Sequence, residues 1–244
     1  MNPIRKKRIQ NHPRKVEDVS NRPKEPEQII EEQIEESLSE YRKSKGSLFL
    51  SSVIAGLDLG FSLLVMGILY TMFNDSVSGE IMQLILAAAY PLGFIFVVLG
   101  RSTLFTEHTT LAVLPVLSGR ETIRNMAIVW GIIYSGNLLG GYLIGGMLSW
   151  LGPQLEIISV HALEEIALHL MKADGILILG SGILAGWLMG LLSWLVTSSQ
   201  ETISRIAIVV LITFAIGLGS LHHCIVGSTE LFAGLLVSEK ITIA

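Results

Sequence analysis

The side chain best placed to do chemistry is His223. It stands in a polar interruption, Gly219-Ser220-Leu221-His222-His223-Cys224, within an otherwise apolar run from Ile203 to Val237. Histidine is the one residue type whose unperturbed pKa lets it exchange protons near neutral pH. A second apolar run, Ile81 to Leu117, is interrupted in the same way at Gly100-Arg101-Ser102-Thr103-Leu104-Phe105-Thr106-Glu107-His108. Other chemistries fit less well. His222, His223 and Cys224 are adjacent on one backbone, and such neighbours rarely converge on one ion. His161, Glu164 and Glu165 have a loose metal spacing but no fixed partner set, and read as a solvated helix face. A hydrolase using Cys224 or a serine with His223 would need a third orienting group, and no Gly-x-Ser-x-Gly elbow is present. No cofactor, no metal and no enzymatic activity are expected.

What must position these residues follows from the apolar runs. Non-helical backbone at membrane depth leaves N–H and C=O groups unsatisfied, so it survives only where it is buried in protein or lines a cavity. Paired interruptions at corresponding places in the two halves of a chain point to a transport site near the bilayer midplane. Composition agrees: half of the 244 residues are hydrophobic and 16% are charged. Charge is segregated, with eleven of the seventeen Lys and Arg in residues 1–46. That excludes a continuous basic face for nucleic acid. The single cysteine cannot form an intramolecular disulfide.

The reading along the chain is a polytopic all-α membrane protein. Residues 1–46 form a charged tail, unstructured up to about residue 26 and then an amphipathic helix over 27–45, with Ile30, Ile34, Leu38 and Tyr41 on one face. This helix lies at the membrane surface near a pore mouth or is a solvated leader. The transmembrane channel domain is 47–244, with spans at about 47–73, 81–117 (broken), 122–150, 175–196 and 203–237 (broken). Residues 151–174 form a short amphipathic excursion. Lys and Arg placement puts the N-terminus in the cytoplasm. Whole, broken, whole and then whole, broken is the pattern of an aquaporin-like inverted repeat, whose sixth helix is expected to be missing from this chain.

Leu104-Phe105-Thr106, Gly136-Asn137-Leu138-Leu139-Gly140, and Gly219 to Phe232 with His223 resemble the formate–nitrite transporter family. Glu107, the Leu111 to Leu117 run and the segment after His223 resemble a less studied subgroup with a long charged tail. The resemblance covers Ser47 to Val237. It implies six aquaporin-like helices per protomer, a homopentamer in a bacterial inner membrane, and one pore per protomer for small monovalent anions, with a proton as a second partner and lipid around it. By resemblance, Leu104 and Phe105 form the pore constriction, and Thr106 hydrogen-bonds the central histidine, His223. Lys172 matches a lysine of the outer vestibule, and Lys172 and Arg101 would attract the anion. Arg101 has an alternative use, pairing with Glu107 or Glu230 to hold the loops, while Asp58 is expected to tie helices together. Three positions depart from the family pattern: His222 replaces an acid, Gly186 an asparagine, and Arg101 a small or neutral residue. A neutral-solute channel is the nearest rival, although neither break carries Asn-Pro-Ala, and a non-transporting membrane scaffold is another.

Overall fold

The computed structural model describes residues 24–241; the expected unstructured leader falls almost wholly outside them. Among the described residues all regular structure is helical. The chain opens with α1 (Pro26–Arg42), α2 (Lys45–Phe73), α3 (Gly79–Ala89) and α4 (Pro91–Gly100). The short α5 (Phe105–Leu111) and α6 (Val113–Leu117) lead to α7 (Ile123–Gln154) and α8 (Val160–Leu170). The last three are α9 (Gly175–Ser198), α10 (Thr202–Leu218) and α11 (Cys224–Val237). By length and composition α2, α3 with α4, α7 and α9 can each cross a membrane. The helices α10 and α11 are shorter apolar pieces separated by the second break.

Local sequence explains most helix starts. Ser44, Ser78, Thr122 and Ser159 each accept a hydrogen bond from a first-turn N–H of α2, α3, α7 and α8, satisfying a donor the helix itself cannot. Both breaks begin with the same device. Arg101 and Ser220 take left-handed backbone angles, φ 54° and 49°. One residue on, Ser102 N–H donates to Val97 O and Leu221 N–H to Ile216 O, the six-to-one bond that ends a helix on a left-handed residue.

The closest packing is between α2 and α7. A Cβ on Gly56 would lie 2.2 Å from Asn137 O, and one on Gly140 2.0 Å from Val53 O, so the backbones touch where only glycine fits. Gly140→Ala is therefore expected to cost at least the ~1–3 kcal/mol of an overpacked core, read as loss of folded protein in size-exclusion chromatography.

Some boundaries differ from expectation. The long third span continues to Gln154, through Gly152 and Pro153. The residue excursion that follows is a docked helix: α8 buries Ala162, Leu163, Ile166 and Ala167 and packs on α11 and α2. On α1 the buried stripe is Ile29, Gln33, Ile34, Ser37 and Leu38, while Ile30 is turned outward. The helix docks on α5, α6, α7 and α9, and its stripe includes two polar residues, Gln33 and Ser37, of which Ser37 Oγ is buried without a hydrogen-bond partner. At the other extreme, Ile176, Leu179, Ile183 and Trp187 of α9 are more than half exposed, an apolar outer face of the kind found against lipid or a neighbouring chain.

Candidate functional site

The two breaks meet. Thr106 Oγ1, in the first turn of α5, lies 2.8 Å from His223 Nε2, and both residues are buried, 7% and 3% exposed. His223 is also the N-cap of α11, its Nδ1 accepting the Val226 N–H at 3.2 Å. With Nδ1 occupied as an acceptor, the proton of the neutral ring sits on Nε2 and is donated to Thr106 Oγ1. The Phe94 ring meets the imidazole edge-on, 5.2 Å between centroids.

Asn137 of α7 holds the first break in place. Its Oδ1 accepts the Phe105 N–H at 2.7 Å, and its Nδ2 donates to Ser52 O and Thr103 O at 2.7 and 2.9 Å. One buried amide thus satisfies backbone groups of α2 and of the break, as non-helical backbone requires. The second break is held by Ser181 of α9. Its Oγ accepts the His222 N–H at 2.8 Å and lies 3.0 Å from His222 Nδ1. His222 Nε2 lies 3.1 Å from Leu170 O, so His222 joins α8 and α9 to the break rather than facing the pore. Asp58 accepts the Ser102 hydroxyl at 3.0 Å, joining α2 to the first break.

A cavity opens on each side of this centre. On the α8 side it measures about 410 Å³ and is lined by Tyr90, His169, Lys172, Ser220, His223 and Glu230 among others. On the α1 side it measures about 740 Å³, with Glu36, Lys43, Arg101, Thr103, Glu107 and His108 in its wall. Thr103 faces one cavity and His223 the other, so Leu104 and Thr106 belong to the septum between them. Leu104 is fully buried. Phe105 is turned toward α7, with its ring 5.1 Å from Tyr134 and 6.1 Å from Trp130, and neither Leu104 nor Phe105 is among the residues lining these two cavities.

Arg101 and Lys172 are exposed residues at opposite mouths. The alternative pairing of Arg101 with Glu230 does not occur, because Glu230 lines the other cavity. No ion pair joins Arg101 to Glu107 among the described residues: Arg101 sits on the left-handed turn, while Glu107 is carried into the next helix. At the α8 mouth, burial first and then the charges of Lys172 and His222 hold the His169 pKa below its usual value. On α1, Tyr41 donates to Ala112 O at 2.7 Å. Burial, with Glu121 nearby, pushes its phenol up to about 12, so it remains a donor.

Two buried polar residues of the site, Asn137 at the first break and Glu230 in the α8-side cavity wall, were not among the expected site residues. Asn137 appeared only within a quoted motif, and Glu230 only as a partner for Arg101. Their signal was present, since polar and ionisable side chains inside apolar spans are costly and rarely idle.

Comparison with known proteins bears on the family and the fold. A family model described as Formate/nitrite transporter matches residues 27–244. The chain is 31% identical to the inner membrane protein YfdC of Escherichia coli over 198 residues, 79% of this chain and 61% of that protein. It is 26% identical to the nitrite transporter NirC of Salmonella typhimurium over 160 residues, 66% of this chain and 58% of that one. The chain spans about three fifths of the length of these relatives. An FNT family ion channel superposes with a TM-score of 0.76 at 21% identity, over 87% of this chain and 84% of that one. A pentameric formate channel with formate bound gives 0.66 at 19% identity, over 79% and 76%. Likeness at these identities shows the fold.

Proposed function

The chain belongs to the formate/nitrite transporter family, and from that premise we propose that it carries small monovalent anions, of the formate or nitrite kind, across a bacterial inner membrane. The observation that carries this reading is the Thr106–His223 contact at 2.8 Å, made by the two breaks between two cavities. His223 exchanges a proton with the solute at the septum, so that the species crossing the apolar barrier at Leu104 is neutral and escapes the desolvation cost of a bare anion. Phe105 fixes the break through its backbone bond to Asn137 and its packing on α7. Lys172 and Arg101 raise the anion concentration at the two mouths. The working form is a homopentamer in lipid with one pore per protomer, and the charged N-terminal segment lies in the cytoplasm, as the excess of Lys and Arg there favours. Glycine-rich close packing of α2 on α7 supports a rigid pore wall in each protomer.

Uptake of formate, nitrite, acetate and chloride into proteoliposomes, with and without a pH gradient, tests the reading. Uptake of formate or nitrite that rises with an inward proton gradient supports it; absence of uptake for all of them ends it. Arg101→Gln should lower the apparent anion affinity, and the difference from wild type should shrink at about 1 M salt, where the Debye length is only about 3 Å. An affinity loss independent of salt would mean that Arg101 serves the turn and not the anion.

A further inference from the structure

Glu230 has no part in the mechanism above, yet its placement is unusual. It lies on α11 seven residues beyond His223, about two turns or 10 Å along the helix axis, and lines the same α8-side cavity. The residue is 5% exposed, and its Oε1 is buried without a hydrogen-bond partner. A carboxyl oxygen left in that condition forfeits its hydration without a replacement. No side chain of the cavity wall answers it. Tyr142 of α7 pairs with Ser228 at 2.7 Å, and His169 of α8 lies 3.0 Å from Ser220 Oγ. Tyr70 of α2, Tyr90, Glu165 of α8 and Lys172 share the cavity wall, and none of them donates to Glu230 Oε1.

We propose that Glu230 is a selectivity residue of this cavity, whose free carboxyl oxygen accepts the hydrogen bond of a solute carrying its own proton, such as a small carboxylic acid in its neutral form, and turns back permanently ionised anions. This rests on the reading of the chain as a transporter of small monovalent anions. Glu230 and His223 line the same cavity, so an acid made neutral at His223 meets the Glu230 carboxyl within it. A neutral acid supplies the O–H that Oε1 lacks. Chloride or nitrate supplies no donor and meets the negative end of a carboxyl group in a site that screens charge poorly. Selectivity then arises from a repulsive element as much as from an attractive one.

The test compares formate with chloride and nitrate in proteoliposomes, using the full chain and its Glu230→Gln and Glu230→Asp variants. Glutamine keeps the size but offers an N–H to anions, so the preference for formate over chloride is expected to fall about tenfold or more. Aspartate keeps the carboxyl and should keep the preference. A preference unchanged in Glu230→Gln overturns the inference and leaves the transporter reading intact. Infrared difference spectra of the protein in liposomes, taken with formate at low pH against chloride at equal ionic strength, need no transport. A carboxyl band that responds to formate alone, and moves in Glu230→Asp, supports the assignment; a band indifferent to formate rejects it. If the wild type carries none of these solutes, the transporter reading falls, and the spectra still decide whether Glu230 receives the acid.

Discussion

His223→Asn is expected to flatten the pH dependence of weak-acid uptake measured between about pH 5 and 8, because asparagine has no proton to exchange with the solute. Asparagine is among the better helix N-caps, so its side chain can take over the bond from Val226 N–H that His223 Nδ1 accepts. What it removes is the ring's capacity to take up and release a second proton beside Thr106. At the pH of fastest wild-type uptake the loss should be about 10²-fold or more, the scale of a positioned acid–base group, with the protein still folded and assembled. Superimposable uptake-versus-pH curves for wild type and variant would reject the proton role. The histidine would then be only a cap joining two half-helices.

Asn137→Leu should do the opposite, destroying the fold while touching no titratable group. Leucine is close in volume, but it leaves the Phe105 N–H and the Thr103 and Ser52 carbonyls without the partner that now serves them. Ser52 O keeps its partner within α2, so at about 1–3 kcal/mol for each unsatisfied buried group the loss at Phe105 N–H and Thr103 O sums to roughly 2–6 kcal/mol, a large share of a typical stability of about 5–15 kcal/mol. Thermal melting in detergent should drop sharply, and the recovered protein should aggregate. A variant that melts like the wild type would show that the break is held by its surroundings and not by this amide.

The large elements were legible because their physics is local. Apolar length marks a span, a serine or threonine marks a helix start, and a polar interruption of an apolar run marks a break. The spans around 47–73 and 175–196 correspond closely to α2 and α9. The pairing of Thr106 with His223 was legible only through resemblance, since the two residues are 117 positions apart and no periodicity connects them. The buried face of α1 was misread by one residue, Ile30 for Ile29, because helical spacing ranks both alike and only the docking surface chooses. The partnership of His222 with Ser181 was out of reach for the same reason. It depends on how α9 lies beside the second break, a matter of packing that single-chain spacing does not encode.

A neutral imidazole has one lone pair, and in this fold the start of α11 already uses it. A second proton has no vacant seat on the His223 ring; it must displace the Val226 amide from Nδ1. Charging the ring and keeping the cap on Val226 N–H are therefore mutually exclusive acts, as long as this geometry holds, while the backbone bond from Gly227 N–H to His223 O stays available to close the turn. The state of that cap becomes a readout of protonation, visible at a single backbone amide. Passage of a proton through the centre of the molecule would then be coupled to the release and recapture of one helix cap.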